Sequence, residues 1–252
     1  MTRTIAVANQ KGGVGKTTTV ATLGAALAER GAAVLVVDLD PQACLTFSLG
    51  LDPEGVALSV YHVMLQGVPV TAAVVDTDDR VDLLPATIEL AGAEAALVAR
   101  AGREHVLRHA LTELADAYDF VLIDCSPSLG VLTINALTAA GELLVPLQCE
   151  TLAHRGVGQL LDTVADVRRL TNPSLRVLGV LPTLYDGRTL HARGVLGDIG
   201  DRYGVDVLDP IARSIRFAEA PAVGRSILAS TGTSRGADDY RALAGRLLGS
   251  AA

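Results

Sequence analysis

The stretch Gln10-Lys11-Gly12-Gly13-Val14-Gly15-Lys16-Thr17-Thr18 restricts this chain more than any other. A short apolar run, Ile5-Ala6-Val7-Ala8, precedes it, and a helical pattern from Val20 to Arg30 follows. A strand, a glycine-rich turn and a helix N-terminus in that order make a phosphate cradle. Glycine lets successive backbone N–H groups turn toward one anion, and the helix dipole adds positive potential at the same point. The spacing Gly-x-x-x-x-Gly-Lys-Thr is kept, except that Gln10 stands where the first glycine belongs. Gly12, Gly13, Val14, Gly15, Lys16, Thr17 and Thr18 are therefore the expected nucleotide-binding residues. Lys16 is expected to reach the β- and γ-phosphates, and the Thr17 hydroxyl to ligate Mg²⁺.

The basic residues sharpen this reading. The chain has nineteen arginines and two lysines, and both lysines are in this loop. A sequence that otherwise uses arginine keeps the compact ammonium where a forked guanidinium would not serve. A guanine reader of the form Asn-Lys-x-Asp needs a third lysine, so ATP is expected rather than GTP.

At 252 residues the chain can build one large α/β domain, expected to span 1–252. Half the residues are apolar, yet no run approaches the ~18 needed to cross a bilayer, so no stable membrane insertion is expected. The first strand begins almost at Met1, which leaves no leader segment to expect. Cys44, Cys125 and Cys149 show no Cys-x-x-Cys spacing, so the expectation is a reduced, cytoplasmic protein without a zinc site. The net charge of −7 is uneven: residues 1–185 carry 12 basic and 20 acidic side chains, and residues 186–252 carry 9 and 8. Any nucleic-acid surface is expected in the last quarter.

Apolar runs alternate with helical patterns along the chain, which predicts a mostly parallel, twisted sheet with helices on both faces. Ala33–Val37 reads as a buried strand ending at Asp38-Leu39-Asp40-Pro41-Gln42. Ligands in such sheets gather beyond the carboxyl ends of the strands. Asp38 is expected to cap the turn and Asp40 to carry chemistry. Helices are predicted at Leu58–Gln66, Val70–Asp76 and Gly102–Tyr118, with a strand at Val81–Pro85 between the last two. Phe120-Val121-Leu122-Ile123-Asp124 is an apolar strand ending in a carboxylate, and Asp124 is expected on the Mg²⁺ opposite Thr17. Helices at Leu129–Ala140 and Val157–Leu170, and strands at Leu143–Leu147 and Arg176–Leu181, complete the pattern. The end, from Arg241 to Ala252, is short and small and predicts a docked terminal helix.

With these residues in place the chain resembles the ParA/Soj partition ATPases, in the wider superfamily of phosphate-binding-loop ATPases that includes MinD. The matching stretches are Asn9–Thr18, Val37–Gln42, Leu122–Gly130, Pro146–Glu150, Asp186–Thr189 and Arg216–Pro221. The resemblance implies an ATP-gated homodimer. Lys11 resembles the signature lysine that crosses to the partner's phosphates, and Gly12 lies where two subunits would meet. Asp40 resembles the carboxylate that positions the attacking water, which makes Lys11, Lys16 and Asp40 the implied catalytic set and Thr17, Asp40 and Asp124 the metal side. The resemblance further implies non-specific DNA binding through Arg188 and Arg216, a ParB-like activator, and a cytoplasmic, nucleoid-associated protein. Arg193, Arg213 and Arg235 are further candidates for DNA contact. The alternative within the superfamily is a MinD-like, membrane-cycling ATPase, which calls for a basic amphipathic C-terminal helix. The chain departs from the family at Ala43-Cys44, at Ser126, and at Ile211-Ala212-Arg213-Ser214, where the family has Ile-Pro-Arg-Asn near the adenine.

Overall fold

The computed structural model describes residues 2–114, 116–150, 153–187, 190–231 and 233–249, with the backbone alone at 153, 190–193 and 231. Strands and helices alternate: β1 (Arg3–Val7), α1 (Lys16–Ala28), β2 (Val34–Leu39), α2 (Cys44–Ser48), α3 (Val70–Ala73), β3 (Val75–Asp76), β4 (Asp82–Leu84), α4 (Leu90–Val98) and α5 (Val106–Leu111). After these come β5 (Phe120–Cys125), α6 (Val131–Ala139), β6 (Glu142–Gln148), α7 (Ala153–Leu170), β7 (Arg176–Thr183) and α8 (Leu190–Tyr203). The last helices are α9 (Arg216–Glu219), α10 (Ile227–Thr231) and α11 (Arg235–Gly249). Among the described residues the strands form one sheet in the order β3-β4-β2-β5-β1-β6-β7. Every pairing is parallel except that of β3 with β4.

Period-2 alternation in the strands feeds two cores. Ile5, Val7, Val34, Val36 and Leu122 face α1, α10 and α11. Ala6, Leu35, Val37, Val121 and Ile123 face α4 to α7. Strands covered on both faces read as continuous apolar runs, which is why they were legible. α1 is buried on nearly all sides because it lies between the sheet and α11. Gly24 in its middle admits that close approach: a Cβ there would lie 3.0 Å from Val36 Cγ1.

α11 docks as the sequence predicts, burying Ala237, Tyr240, Leu243, Ala244 and Leu247. The Tyr240 and Thr19 hydroxyls share a buried hydrogen bond of 2.8 Å. Arg241 closes the rim with two bonds to Glu29, at 2.8 and 3.1 Å. This helix spends its apolar face on the body of the protein.

Three predicted elements are corrected. The helix expected over 102–118 is broken: a 3₁₀ turn at Arg103–His105, then α5, then a second 3₁₀ turn at Thr112–Leu114. The cause is Asn135 of α6, whose amide donates to Arg103 O at 2.8 Å and accepts from Leu107 N at 3.1 Å. Those two groups would otherwise pair in the helical ladder, and an inserted side chain breaks it. The helix expected over 70–76 ends at Ala73, because Val74 turns extended and Val75-Asp76 pairs antiparallel with β4. β-Branched residues favour that extended state. The helix expected over 58–66 begins at Val60 and turns π-helical over His62–Gln66. α4 was not foreseen.

Replacing Tyr240 by Phe removes the buried bond to Thr19 without emptying the site. Urea denaturation should show a loss of about 1–2 kcal/mol. An unchanged midpoint would mean that the Thr19–Tyr240 bond adds nothing to the α1–α11 contact.

Candidate functional site

β1, β5 and β2 are adjacent, and all three end on the same side of the sheet. The glycine loop leaves β1, the Asp38–Asp40 turn leaves β2, and Asp124 closes β5. The topology therefore gathers at one edge three segments that are far apart in sequence.

The loop turns on Gly13 (φ 74°) and Gly15 (φ 84°), both left-handed, a region that glycine enters at low cost. Gly15 is the N-cap of α1, and no side chain caps this helix. Its first N–H groups thus remain available to an anion. Two contacts from distant strands brace the loop. Thr183, at the end of β7, donates to Val14 O at 2.7 Å, and buried Asn9 donates to Pro146 O at 2.7 Å while accepting from Lys11 N at 3.0 Å.

Gly12, Gly13, Gly15, Lys16, Thr17, Thr18 and Asp40 line one open cavity of about 850 Å³. Val14 is fully buried and serves through its carbonyl. Lys16 is 7% exposed, and its ammonium donates to Lys11 O at 3.2 Å. Burial lowers its pKa from the ordinary value, opposed chiefly by Asp124. Lys11 does not line the cavity; its exposed ammonium pairs with Glu150 on the loop after β6. Gly12 is exposed, and a Cβ there would meet nothing within 4 Å in the single chain.

Two aspartates lie abreast behind the loop, since Asp38 and Asp124 are register partners in β2 and β5. Asp38 is fully buried but well bonded. Thr46 N and Thr46 Oγ1 donate to its Oδ2 at 2.8 and 2.7 Å, and Asp40 N donates to its Oδ1 at 3.2 Å. Burial nevertheless pushes it up to about 6. Asp124 is also fully buried, but only one oxygen is bonded: Thr17 Oγ1 donates to Oδ2 at 2.7 Å, and Oδ1 has no partner. Burial, then the Asp38 charge beside it, holds Asp124 well above the usual carboxylate range. An orphaned, desolvated carboxylate oxygen beside a threonine hydroxyl suits a hard divalent cation. The residues present therefore fit Mg²⁺. Among the described residues there is no cluster of three His, Cys, Asp or Glu that could cage a metal unaided, so phosphate oxygens and water would complete the shell.

Asp40 is half-buried, and its Oδ1 accepts from Gln42 N at 2.9 Å, which holds the carboxylate at the cavity rim. The turn passes through Ala43 at φ 52°, a left-handed non-glycine residue where the family has glycine. Ile215, Phe217, Ala218 and Pro221 give the same cavity an apolar lining, as does Phe47 on α2. Sequence reasoning did not assign Phe47, Thr183 or Thr46 to the site. The strand-end position of Thr183 was the one available signal.

Arg216 is exposed on α9 and pairs with Glu219 at 3.0 Å, outside the cavity. Arg188 lies outside the described residues, as does the side chain of Arg193. Arg213 lines the cavity, and Arg235 is exposed.

A parallel sheet with an uncapped, glycine-looped helix and a strand-end aspartate beneath it defines a phosphate-binding-loop NTPase. A family model described as an AAA domain matches residues 2–177. The chromosome-partitioning ATPase Soj of Thermus thermophilus is 49% identical over 243 residues, covering 96% of this chain and 94% of that protein. The sporulation initiation inhibitor protein Soj of Bacillus subtilis is 44% identical over 246 residues, covering 97% of both. A solved structure from Mycobacterium smegmatis, named cobyrinic acid a,c-diamide synthase and holding an ATP analogue and magnesium, is 57% identical. Its TM-score is 0.88, over 98% of this chain and 95% of that one. The chain belongs to the ParA/Soj family of partition ATPases.

The buried carboxylate gives a pH test. Asp124 binds its proton more tightly folded than unfolded, where 3.8 is usual, so its ionisation is a penalty that is absent at low pH and grows as pH rises. Asp124→Asn removes the penalty and can still accept from Thr17. In metal-free protein the variant should gain stability over the parent between about pH 4 and pH 8, read from urea midpoints. A difference that stays constant across that range would contradict the assignment.

Proposed function

We propose that this chain is a Mg²⁺-dependent ATPase that dimerises on ATP, binds DNA without sequence preference, and positions a chromosomal or other cargo with a ParB-like activator. The observation that carries the ATPase is the convergence of Lys16, Thr17, Asp40 and the orphaned Asp124 oxygen at one uncapped helix N-terminus. Its family membership, and a relative holding an ATP analogue with magnesium, support the choice of nucleotide.

In this reading the N–H groups of Gly13 to Thr17 bind the phosphates, and Lys16 neutralises charge that develops on the γ-phosphoryl. Thr17 and Asp124 hold Mg²⁺, which supplies further charge neutralisation when bound. Asp40, fixed by Gln42 N, orients the attacking water at the rim. Lys11 pairs with Glu150 and does not line its own cavity, which supports a task outside its own subunit. DNA binding rests on family membership and on the charge balance of the last quarter, where Arg216 is already exposed.

Lys16→Ala should lower Mg²⁺-dependent ATP turnover roughly 100-fold or more. Asp40→Ala should bind ATP yet hydrolyse it at least about 100-fold more slowly, and accumulate as a dimer on size exclusion with ATP and Mg²⁺. Full activity of the first variant, or a monomeric second variant at saturating ATP, would refute these roles.

DNA affinity should require ATP and fall with salt with a slope of about −0.9 per phosphate contact. Reversing Arg188 and Arg216 together to Glu should abolish it while dimerisation survives. Retained affinity would move the surface elsewhere, and binding to liposomes instead of DNA would favour the MinD-like alternative.

A further inference from the structure

Aromatic surface is scarce here: the chain has three phenylalanines and no tryptophan. Phe120 is locked into β5, and Phe217 is nearly buried with its ring edge-on to Tyr240 at 5.9 Å. Phe47 is 55% exposed, yet it lines the same cavity as the glycine loop. A lone exposed apolar side chain is ordinary on a protein surface. Phe47 is set apart by how firmly its backbone is fixed. Its N–H donates to Ala43 O at 3.0 Å. The preceding residue, Thr46, is tied to Asp38 by two hydrogen bonds and accepts a third at 2.9 Å from Ala86 N. Leu45 and Thr46 anchor one side of α2 in the core, and Cys44, Phe47 and Ser48 border the cavity.

Ile215, Phe217 and Pro221 line the same cavity, an apolar surface that no phosphate group would use, and Pro221 shares a smaller neighbouring cleft with Phe47. The cavity is therefore lined by polar groups at the α1 N-terminus and by apolar side chains from α2 and the 215–221 segment. Its volume of about 850 Å³ is far more than a triphosphate tail fills. The part of a nucleotide that has an apolar face is its base.

We propose that Phe47 is the stacking platform for the purine ring of the bound nucleotide, with the Ile215–Pro221 segment lining the same apolar compartment. This inference rests on the ATP reading and deepens it. Every base presents a π-face, so Phe47 supplies affinity for a base rather than a choice between adenine and guanine.

Calorimetric titration of the full chain with ATP and with inorganic triphosphate, each with Mg²⁺, separates the polar from the apolar part of the site. Phe47→Ala should weaken ATP binding about 5- to 100-fold, the range that base–aromatic stacking carries, and leave triphosphate binding unchanged. Phe47→Trp should restore ATP affinity, and its indole, unique in the chain, should change its emission with ATP but not with triphosphate. Undiminished ATP affinity in Phe47→Ala would overturn the proposal. So would equal losses for both ligands, which would mean that α2 has shifted, or a loss confined to dimer formation, which would make Phe47 an intersubunit contact. A parent that binds triphosphate but not ATP would overturn the ATP reading and this inference together.

Discussion

Two carboxylates stand side by side in the middle of the sheet, and only one of them has enough hydrogen bonds. Asp38 and Asp124 are register partners on adjacent strands, both out of reach of water. Three donors serve Asp38, whereas one oxygen of Asp124 is served by none. A buried charge is tolerated when it is paired. Lys16 is a cationic group acting on Asp124, and its own pKa is lowered by burial. One ammonium among Asp38, Asp40 and Asp124 leaves the site short of positive charge. The fold thus carries an electrostatic deficit at the point where a divalent cation and phosphates would sit.

The remaining architecture holds that deficit in place. Thr183 and Asn9 brace the glycine loop from β7 and from the end of β1. α1, whose N-terminus faces the cavity, is clamped between the sheet and α11 through Gly24 and the Thr19–Tyr240 bond. Asp38 does double duty: it fixes the Asp40 turn through Asp40 N, and it fixes α2 through Thr46. The carboxylate at the rim and the aromatic ring beside it are positioned by the same buried group. α11 cannot serve as a membrane-binding helix while its apolar face is packed against α1.

The sequence made legible whatever is local. The glycine spacing, the apolar strands and their terminal aspartates each declare themselves within ten residues, because both faces of a parallel strand are buried. What it hid depends on distance. The break in the 102–118 segment comes from Asn135, some thirty residues away, inserting into a helical ladder. α4 (Leu-Ala-Gly-Ala-Glu-Ala-Ala-Leu-Val) is so uniformly small and apolar that it has no clear helical period. The contact between Thr183 and Val14 spans most of the chain, and the exposed ring of Phe47 has meaning only once the 215–221 segment is brought to the same cavity. The task of Lys11 rests on a family likeness, since in a single chain its ammonium pairs with Glu150 and does not line the cavity.

The claim on which the account turns is that Asp124 is a buried carboxylate waiting for a cation. Carbon-13 NMR of the aspartate side-chain carboxyls, with Asp124 assigned by its Asn variant, measures this directly. In metal-free protein the Asp124 resonance should titrate well above the ordinary value of 3.8. With Mg²⁺ and a non-hydrolysable ATP analogue the same carboxyl should stay ionised down to the lowest pH at which the protein is folded. An Asp124 that titrates at the ordinary value in both states would contradict the account.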